Sequence, residues 1–264
     1  VGGIRHGRTL GSPVAIEIQN SEWFRSDKWH AEMSPEPGHT EAPLTQPRPG
    51  HADLVGMQKY GFSDSRDVLE RASARETAAR VAAGALAKQL LSHLGVGILS
   101  HVIQMGTARV PAGTLPVMDD LARIDESEVR CAVPDAGEAM IAEIKNAARE
   151  GDSLGGIVEA VAYGVPIGLG SHVHWDRKID ALLAQAVMSI QAVKGVEIGD
   201  GFAAAELTGE ANADEMRMQD GHVVFGSNHA GGILGGISTG QPLVARFAVK
   251  PTSSILTMRQ SVDR

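Results

Sequence analysis

Cysteine is nearly missing: Cys131 is the only one in 264 residues, which excludes an internal disulfide and suits a reducing, cytoplasmic setting. Net positive charge is missing too. The formal charge is −8 and the pI about 5.7, so neither a nucleic-acid footprint nor an anionic-membrane surface is expected of the molecule as a whole. No apolar run approaches the roughly 18 residues of a membrane span, and no charged-then-apolar leader opens the chain. Neither G-x-S-x-G nor H-E-x-x-H occurs, which removes two common hydrolase signatures. Glycines are plentiful, but no G-x-G-x-x-G stands between a strand and a helix, so a Rossmann site has poor support. His172 and His174 in "SHVHWD" lack a cysteine or well-spaced carboxylate; they are expected to be surface histidines, with no metal site.

What is present is enough apolar material, 43% of residues, for one large domain or two small ones. The 31 glycines fall in short clusters, a pattern of close backbone approaches more than of disorder. In "SPVAIEIQN" (12–20), Val14, Ile16 and Ile18 alternate with Ala15, Glu17 and Gln19, predicting a strand with one buried face. Residues 21–50 and 203–222 lack periodicity and are expected to be surface loops. "SARE" (73–76) has the form of a capping box and predicts a helix starting at Ser73. Val81, Leu86, Leu90 and Leu94 would form its apolar stripe, and Gly95 its left-handed stop. Strands are expected over 96–106, 155–170, 194–201 and 242–251. A helix over 135–151 should present Ile141 and Ile144 on one face. Another, over 176–193, should bury Ile179, Leu182, Leu183, Ala186, Val187 and Ile190. The order is mixed α and β, without tandem repeats.

Three stretches carry chemistry. In "PRPGHAD", Pro47 and Pro49 fix their own φ and Gly50 permits a tight turn, so His51 is either an ordinary loop histidine or a proton-transfer group held in place. Arg71, Ser73 and Arg75 cluster at the expected helix start, where unpaired amides and the dipole favour an anion. The alternative is a well-capped surface helix with solvated arginines. "KPTSS" (250–254) closes a strand with one ammonium and three hydroxyls, donors apt for phosphate.

Read together, "GIRHGRTLGSPVAIEIQN", "RPGHADLVGMQKYGF", "VLERASARETAARVAAGA", "GVPIGLGS", "AVMSIQAVKGVEIGDGF", "NHAGGILGGISTGQP" and "KPTSS" resemble the chorismate synthase family, in family order along nearly the whole chain. The resemblance implies an α+β fold, helices sandwiched between antiparallel sheets, in a single domain over 1–264 that assembles as a cytoplasmic homotetramer. It implies a lyase of the shikimate pathway, on the route to aromatic amino acids. The reaction is a trans-1,4-elimination of phosphate from 5-enolpyruvylshikimate 3-phosphate to give chorismate, using reduced FMN without net redox change. NADPH reduces the flavin in members that carry that activity themselves.

By the same resemblance, His51 is catalytic in proton transfer. Arg48 and Arg75 bind the substrate's anionic groups. Arg71, Ala72, Ser73, Gln191, Ala192, Gly235, Lys250, Pro251, Thr252, Ser253 and Ser254 contact FMN. His51 and the arginines are expected to converge on one pocket for two phosphorylated ligands. The family's "GESHG" and Arg-Ser-Asp segments are not in this sequence. Both ends are therefore expected to lie inside a longer protein, and the 264-residue chain alone to turn over little. The rival readings are a non-catalytic flavin- or phosphate-binding protein and a flavin oxidoreductase with net hydride transfer.

Overall fold

A computed structural model describes residues 2–21 and 42–263. They divide into one unit of Val1–Leu86 with Arg259–Arg264 and a second of Ala87–Met258. Most of the loop expected over 21–50 lies outside the described residues.

The first unit opens with a short antiparallel hairpin of β1 (Ile4–Arg5) and β2 (Arg8–Thr9). Residues 12–20 are not the strand their alternation predicts. Only Ala15 bridges, to Gly2, and Ile16 and Ile18 are exposed. Alternation fits a segment to a sheet, but a strand forms only where a neighbouring backbone pairs with it, and the described residues supply that neighbour at one position.

His51 N donates to Arg48 O at 3.2 Å, closing the Pro-Gly turn. Helix α1 (Asp53–Tyr60) begins at once, with its aspartate in the first turn, and Gly61 ends it in the left-handed conformation. A second helix, α2 (Ser65–Ala72), is capped by Asp64, whose Oδ1 accepts from Arg66 N at 2.9 Å. The two helices meet at Gly56. A Cβ there would stand 2.5 Å from Val68 Cγ1, so the missing side chain is what lets Val68 bury.

Ser73 is a break between helices, not the start of a long one. Its ψ of 141° interrupts the helical path, and its hydroxyl accepts from Arg75 N at 3.3 Å in a 3-10 turn over Ala74–Glu76. Only then does α3 (Thr77–His93) begin. Ser73 is a capping serine, as its sequence setting predicts, but it takes the amide of Arg75, not that of Glu76. Arg71 accordingly sits in the last turn of α2, at the end of a helix whose dipole is negative. Gly95 has the expected positive φ of 82°. The apolar stripe of α3 is exposed instead of buried, Val81 at 70%, Leu90 at 64% and Leu94 at 69%.

The second unit is built on a five-stranded antiparallel sheet of β3 (Gly97–Met105), β4 (Ala108–Arg109), β5 (Gly156–Tyr163), β6 (Val193–Ile198) and β11 (Leu243–Val249), in the order β4-β3-β5-β11-β6. Leu99, Val161 and Val244 stand opposite one another on β3, β5 and β11, and pack as a row against Ala132 and Ile124 of α4 (Leu121–Glu126). Two residues along each strand the same face carries His101, Glu159 and Arg246, also in register. Glu159 accepts from His101 Nε2 at 3.0 Å and from Arg246 Nε at 2.7 Å. Burial alone would raise the Glu159 carboxyl; the bonds from His101 and Arg246 outweigh it and hold the group below its ordinary value.

Helix α5 (Pro134–Arg149) buries Ala136 and Met140 beside Cys131, and Ile144 is exposed. Its buried face differs from the expected Ile141–Ile144 face because Gly137 brings the helix backbone close to Cys131 on the other side. On α6 (Ile179–Met188), Ile179 and Leu183 pack against Val96, Val165, Ile233 and Leu243, while Leu182 is exposed. Residues 203–222 are more regular than their polarity suggests. They hold most of a 3-10 turn (Gly201–Glu206) and β7 (Met216–Gln219), which pairs with β8 (His222–Phe225) across Asp220–Gly221. The glycine-rich stretch folds as β9 (Ile233–Leu234) and β10 (Ile237–Ser238) around Gly235 and Gly236, at φ 60° and 82°. Helices with antiparallel sheets make this the expected α+β class. No helix among the described residues is long and apolar enough to cross a membrane.

Candidate active site

In the first unit the turn before α1 gathers Arg48, His51 and Asp53. Asp53 is 1% exposed. Its Oδ2 accepts from Arg48 N at 3.0 Å and from Arg48 Nε at 2.9 Å. Its Oδ1 accepts from Arg48 Nη2 at 3.1 Å and from His51 Nδ1. Arg48 Nη2 also lies 3.0 Å from His51 Nδ1 and 3.3 Å from Nε2, so the guanidinium runs along the ring edge. Burial pushes the Asp53 carboxyl up, but the Arg48 side-chain and backbone bonds, then His51, more than offset it and hold the group below the usual carboxylate range. Asp53 is thus an ionised acceptor under a partly exposed imidazole.

A cavity of about 490 Å³ adjoins this group, lined by Leu44, Thr45, Gln46, Arg48, Asp53 and Leu69 among others. The chain's last described residues brace the same turn. Arg259 Nη1 donates to Pro49 O at 3.3 Å, and Ser261 Oγ donates to Pro47 O.

Ser73 and Arg75 form a second group in this unit. Arg75 Nε donates to Ser73 Oγ at 3.2 Å, and Arg75 Nη1 to Glu70 Oε1 at 3.1 Å, both exposed. The cavity beside Asp53 is lined by Arg48 but not by Arg71, Ser73 or Arg75. Arg48 is thus held by Asp53 and Arg75 by Glu70.

In the second unit, Lys250 N donates to Ala192 O at 2.9 Å, which joins residues 191–192 to residues 250–254 at one end of β6 and β11. Ala192 has φ 67°, a conformation uncommon for a residue with a side chain. Ser253 is buried, and Thr252 O accepts from Ser153 Oγ at 2.7 Å. One ammonium and three hydroxyls within five residues, beside Ala192, form a donor set suited to a phosphate-bearing ligand. Gly235 sits elsewhere, in the β9–β10 turn beside His172. His172 and His174 are exposed.

A family model described as "Chorismate synthase" matches residues 1–264, the whole chain. The chain belongs to the chorismate synthase family. Among curated relatives, the chorismate synthase of Thermobifida fusca is 54% identical over 273 residues, covering all of this chain and 69% of that protein. That of Saccharopolyspora erythraea is 54% identical over 274 residues, covering all of this chain and 68% of that protein. A solved structure, "Crystal Structure of Chorismate Synthase", superposes with a TM-score of 0.80 at 41% identity, over 95% of this chain and 70% of that one.

Sequence reasoning missed Asp53, although it stands two residues after His51 where a helix begins. It also missed the His101–Glu159–Arg246 row, which only strand register reveals, and the pairing of His229 Nδ1 with Asp200 Oδ2 at 2.6 Å.

Proposed function

We propose that the chain catalyses the lyase step by which the family makes chorismate, an elimination of phosphate from 5-enolpyruvylshikimate 3-phosphate on the route to aromatic amino acids. The observation that carries this reading is the Arg48–His51–Asp53 group on a chain whose full length matches the family. In a 1,4-elimination the phosphate leaves with its bonding electrons at one end of a four-carbon unit, and a proton leaves at the other. Such a reaction needs a placed proton carrier and cationic or amide donors for the departing group.

His51 is the proton carrier in this reading, and Nε2 is the atom that exchanges, because the buried Asp53 holds Nδ1 closely while Arg48 Nη2 lies a longer 3.3 Å from Nε2. Arg48 and Arg75 take the substrate's anionic groups. Reduced FMN is the cofactor that the residues fit, on the strength of the phosphate-type donors at Lys250, Thr252, Ser253 and Ser254 beside Ala192. When bound, the reduced flavin lends transient electron density to the departing phosphate. Within the second unit, Gln191, Ala192, Lys250, Pro251, Thr252, Ser253 and Ser254 contribute contacts to it. NADPH serves only to reduce the flavin. The lone buried thiol at Cys131 favours a cytoplasmic setting, and the exposed Val81, Leu90 and Leu94 favour assembly, which we take to be a homotetramer.

The test is an anaerobic assay of the full-length enzyme with reduced FMN and 5-enolpyruvylshikimate 3-phosphate. Chorismate and phosphate should appear one for one, with no NADPH consumed per turnover. Absence of chorismate refutes the reading. Flavin binding without a substrate-dependent absorbance change would mark a non-catalytic binder, and stoichiometric NADPH consumption an oxidoreductase.

A further inference from the structure

The geometry points to Asp53 as a positioning residue that dictates which ring nitrogen of His51 carries the proton in the chorismate-forming reaction. This role rests on the reading of His51 given above.

A first-turn aspartate commonly serves its own helix, by accepting from free amides or by facing the positive end of the dipole. Asp53 does something else. The residue capping α1 is Ala52, with no side-chain bond, and the donors on the Asp53 carboxylate come from residues 48 and 51. The carboxylate is buried and turned back onto the turn that holds the histidine.

An ionised carboxylate only accepts, so the nitrogen of His51 that faces it must be an N–H. Nδ1 therefore keeps its proton in the neutral ring, and Nε2 keeps its lone pair. Arg48 makes the arrangement rigid. Its backbone N–H and Nε both bind Oδ2, and its Nη2 reaches Oδ1, so the carboxylate cannot swivel away from the imidazole. Ion pairing keeps Asp53 acceptor-only despite its burial.

The same contacts predict what an isosteric amide does. In Asp53→Asn, the two Arg48 donors at the former Oδ2 select the carbonyl oxygen for that position. The NH₂ then occupies the place of Oδ1 and points at His51 Nδ1. There it can only donate, so the ring proton moves to Nε2 and the exchanging nitrogen loses its lone pair.

The experiment uses the full-length enzyme labelled with ¹⁵N-histidine, with the His51 signals assigned by difference against His51→Gln. The wild type should show the proton on Nδ1 and Asp53→Asn should show it on Nε2. Turnover should fall by a factor on the order of 10² to 10⁴, the usual worth of a placed proton-transfer group, with KM for the substrate changed only a few-fold. Because Asp53 lines the cavity, formate should reach the space left in Asp53→Ala and restore part of the turnover saturably, which covers the case in which the asparagine variant fails to fold.

A wild-type proton on Nε2 overturns the proposal. So does an Asp53→Asn enzyme with turnover within about three-fold of wild type beside an inactive His51→Ala. A fully active His51→Ala removes the reading of His51 itself, and the role of Asp53 with it, so the two failures are told apart by that variant.

Discussion

Glu159→Gln is the substitution whose cost follows most directly from the sheet. Glu159 accepts from His101 Nε2 at 3.0 Å and from Arg246 Nε at 2.7 Å, and both Glu159 and His101 are about 1% exposed. A glutamine keeps one carbonyl oxygen, so one donor loses its acceptor and faces an NH₂, while the other keeps a neutral acceptor in place of a charged one. At the His101 end water cannot replace the loss, and a hydrogen bond to a charged group there is worth about 1.5–3 kcal/mol. At the Arg246 end the side chain is 29% exposed, so solvent recovers part of the loss; about 1 kcal/mol is a fair charge for that end. The total is about 3 kcal/mol, near the lower bound for removing one partner from a buried ion pair.

For a unit the size of Ala87–Met258 this corresponds to a fall in Tm of roughly 6–12 °C, read by calorimetry or by urea titration. The deficit should depend on pH. A glutamate whose folded value is depressed adds stability that is complete above its ordinary value of 4.5 and is lost as pH falls through the lower folded value. The gap between wild type and variant should therefore close in that acid range. Combining His101→Leu with Glu159→Leu removes the charge together with its buried partner, leaves the part-exposed Arg246 its bond to Gly199 O, and should cost less than Glu159→Gln alone. A loss below about 1 kcal/mol for Glu159→Gln at pH 7 would mean that the buried carboxylate is not what holds His101 and Arg246 in place.

Gly56→Ala should destabilise by about 1–2 kcal/mol in urea unfolding, because the gain in helix propensity is smaller than the clash at Val68; adding Val68→Ala should return most of it. His229 should titrate above its ordinary value of 6.5 by NMR, because Asp200 accepts from its ring. Its contribution to stability is complete below that value and is lost as pH rises through the folded one, so Asp200→Asn should flatten this alkaline dependence. Cys131 is buried, and its thiol is pushed up by that burial. Alkylation by iodoacetamide should be slow in the native protein and fast in urea.

Legibility in the sequence followed from whether the deciding interaction was local. Gly95 could be read as a helix stop because the left-handed conformation that follows a helix is a property of the residue itself. β11 could be read because seven alternating residues in a row fit a strand paired on both sides. Residues 12–20 have the same alternation, yet a strand also needs a partner, which lies outside the segment. Helix α2 was missed because its eight residues are mostly polar or charged, and only Val68 and Ser65 are buried.

Asp53 was missed for a related reason. Carboxylates are seldom fully buried, and nothing local says that Arg48 and His51 will both turn onto it. The β7–β8 hairpin was there to be seen in Asp220–Gly221, a strong turn signal, but the polar surroundings outweighed it. Arg71 looks like a helix-start residue in the sequence because a capping serine gives the same local signal at a first helix turn and at a gap between two helices, as at Ser73.

The most direct measurement is single-turnover chorismate formation under anaerobic conditions, comparing the full-length wild-type enzyme with His51→Ala, both saturated with reduced FMN and substrate. With His51 as the proton carrier, the wild type should form chorismate and the variant should be slower by about 10²-fold or more while binding flavin equally well. Equal rates in the two proteins would contradict the account.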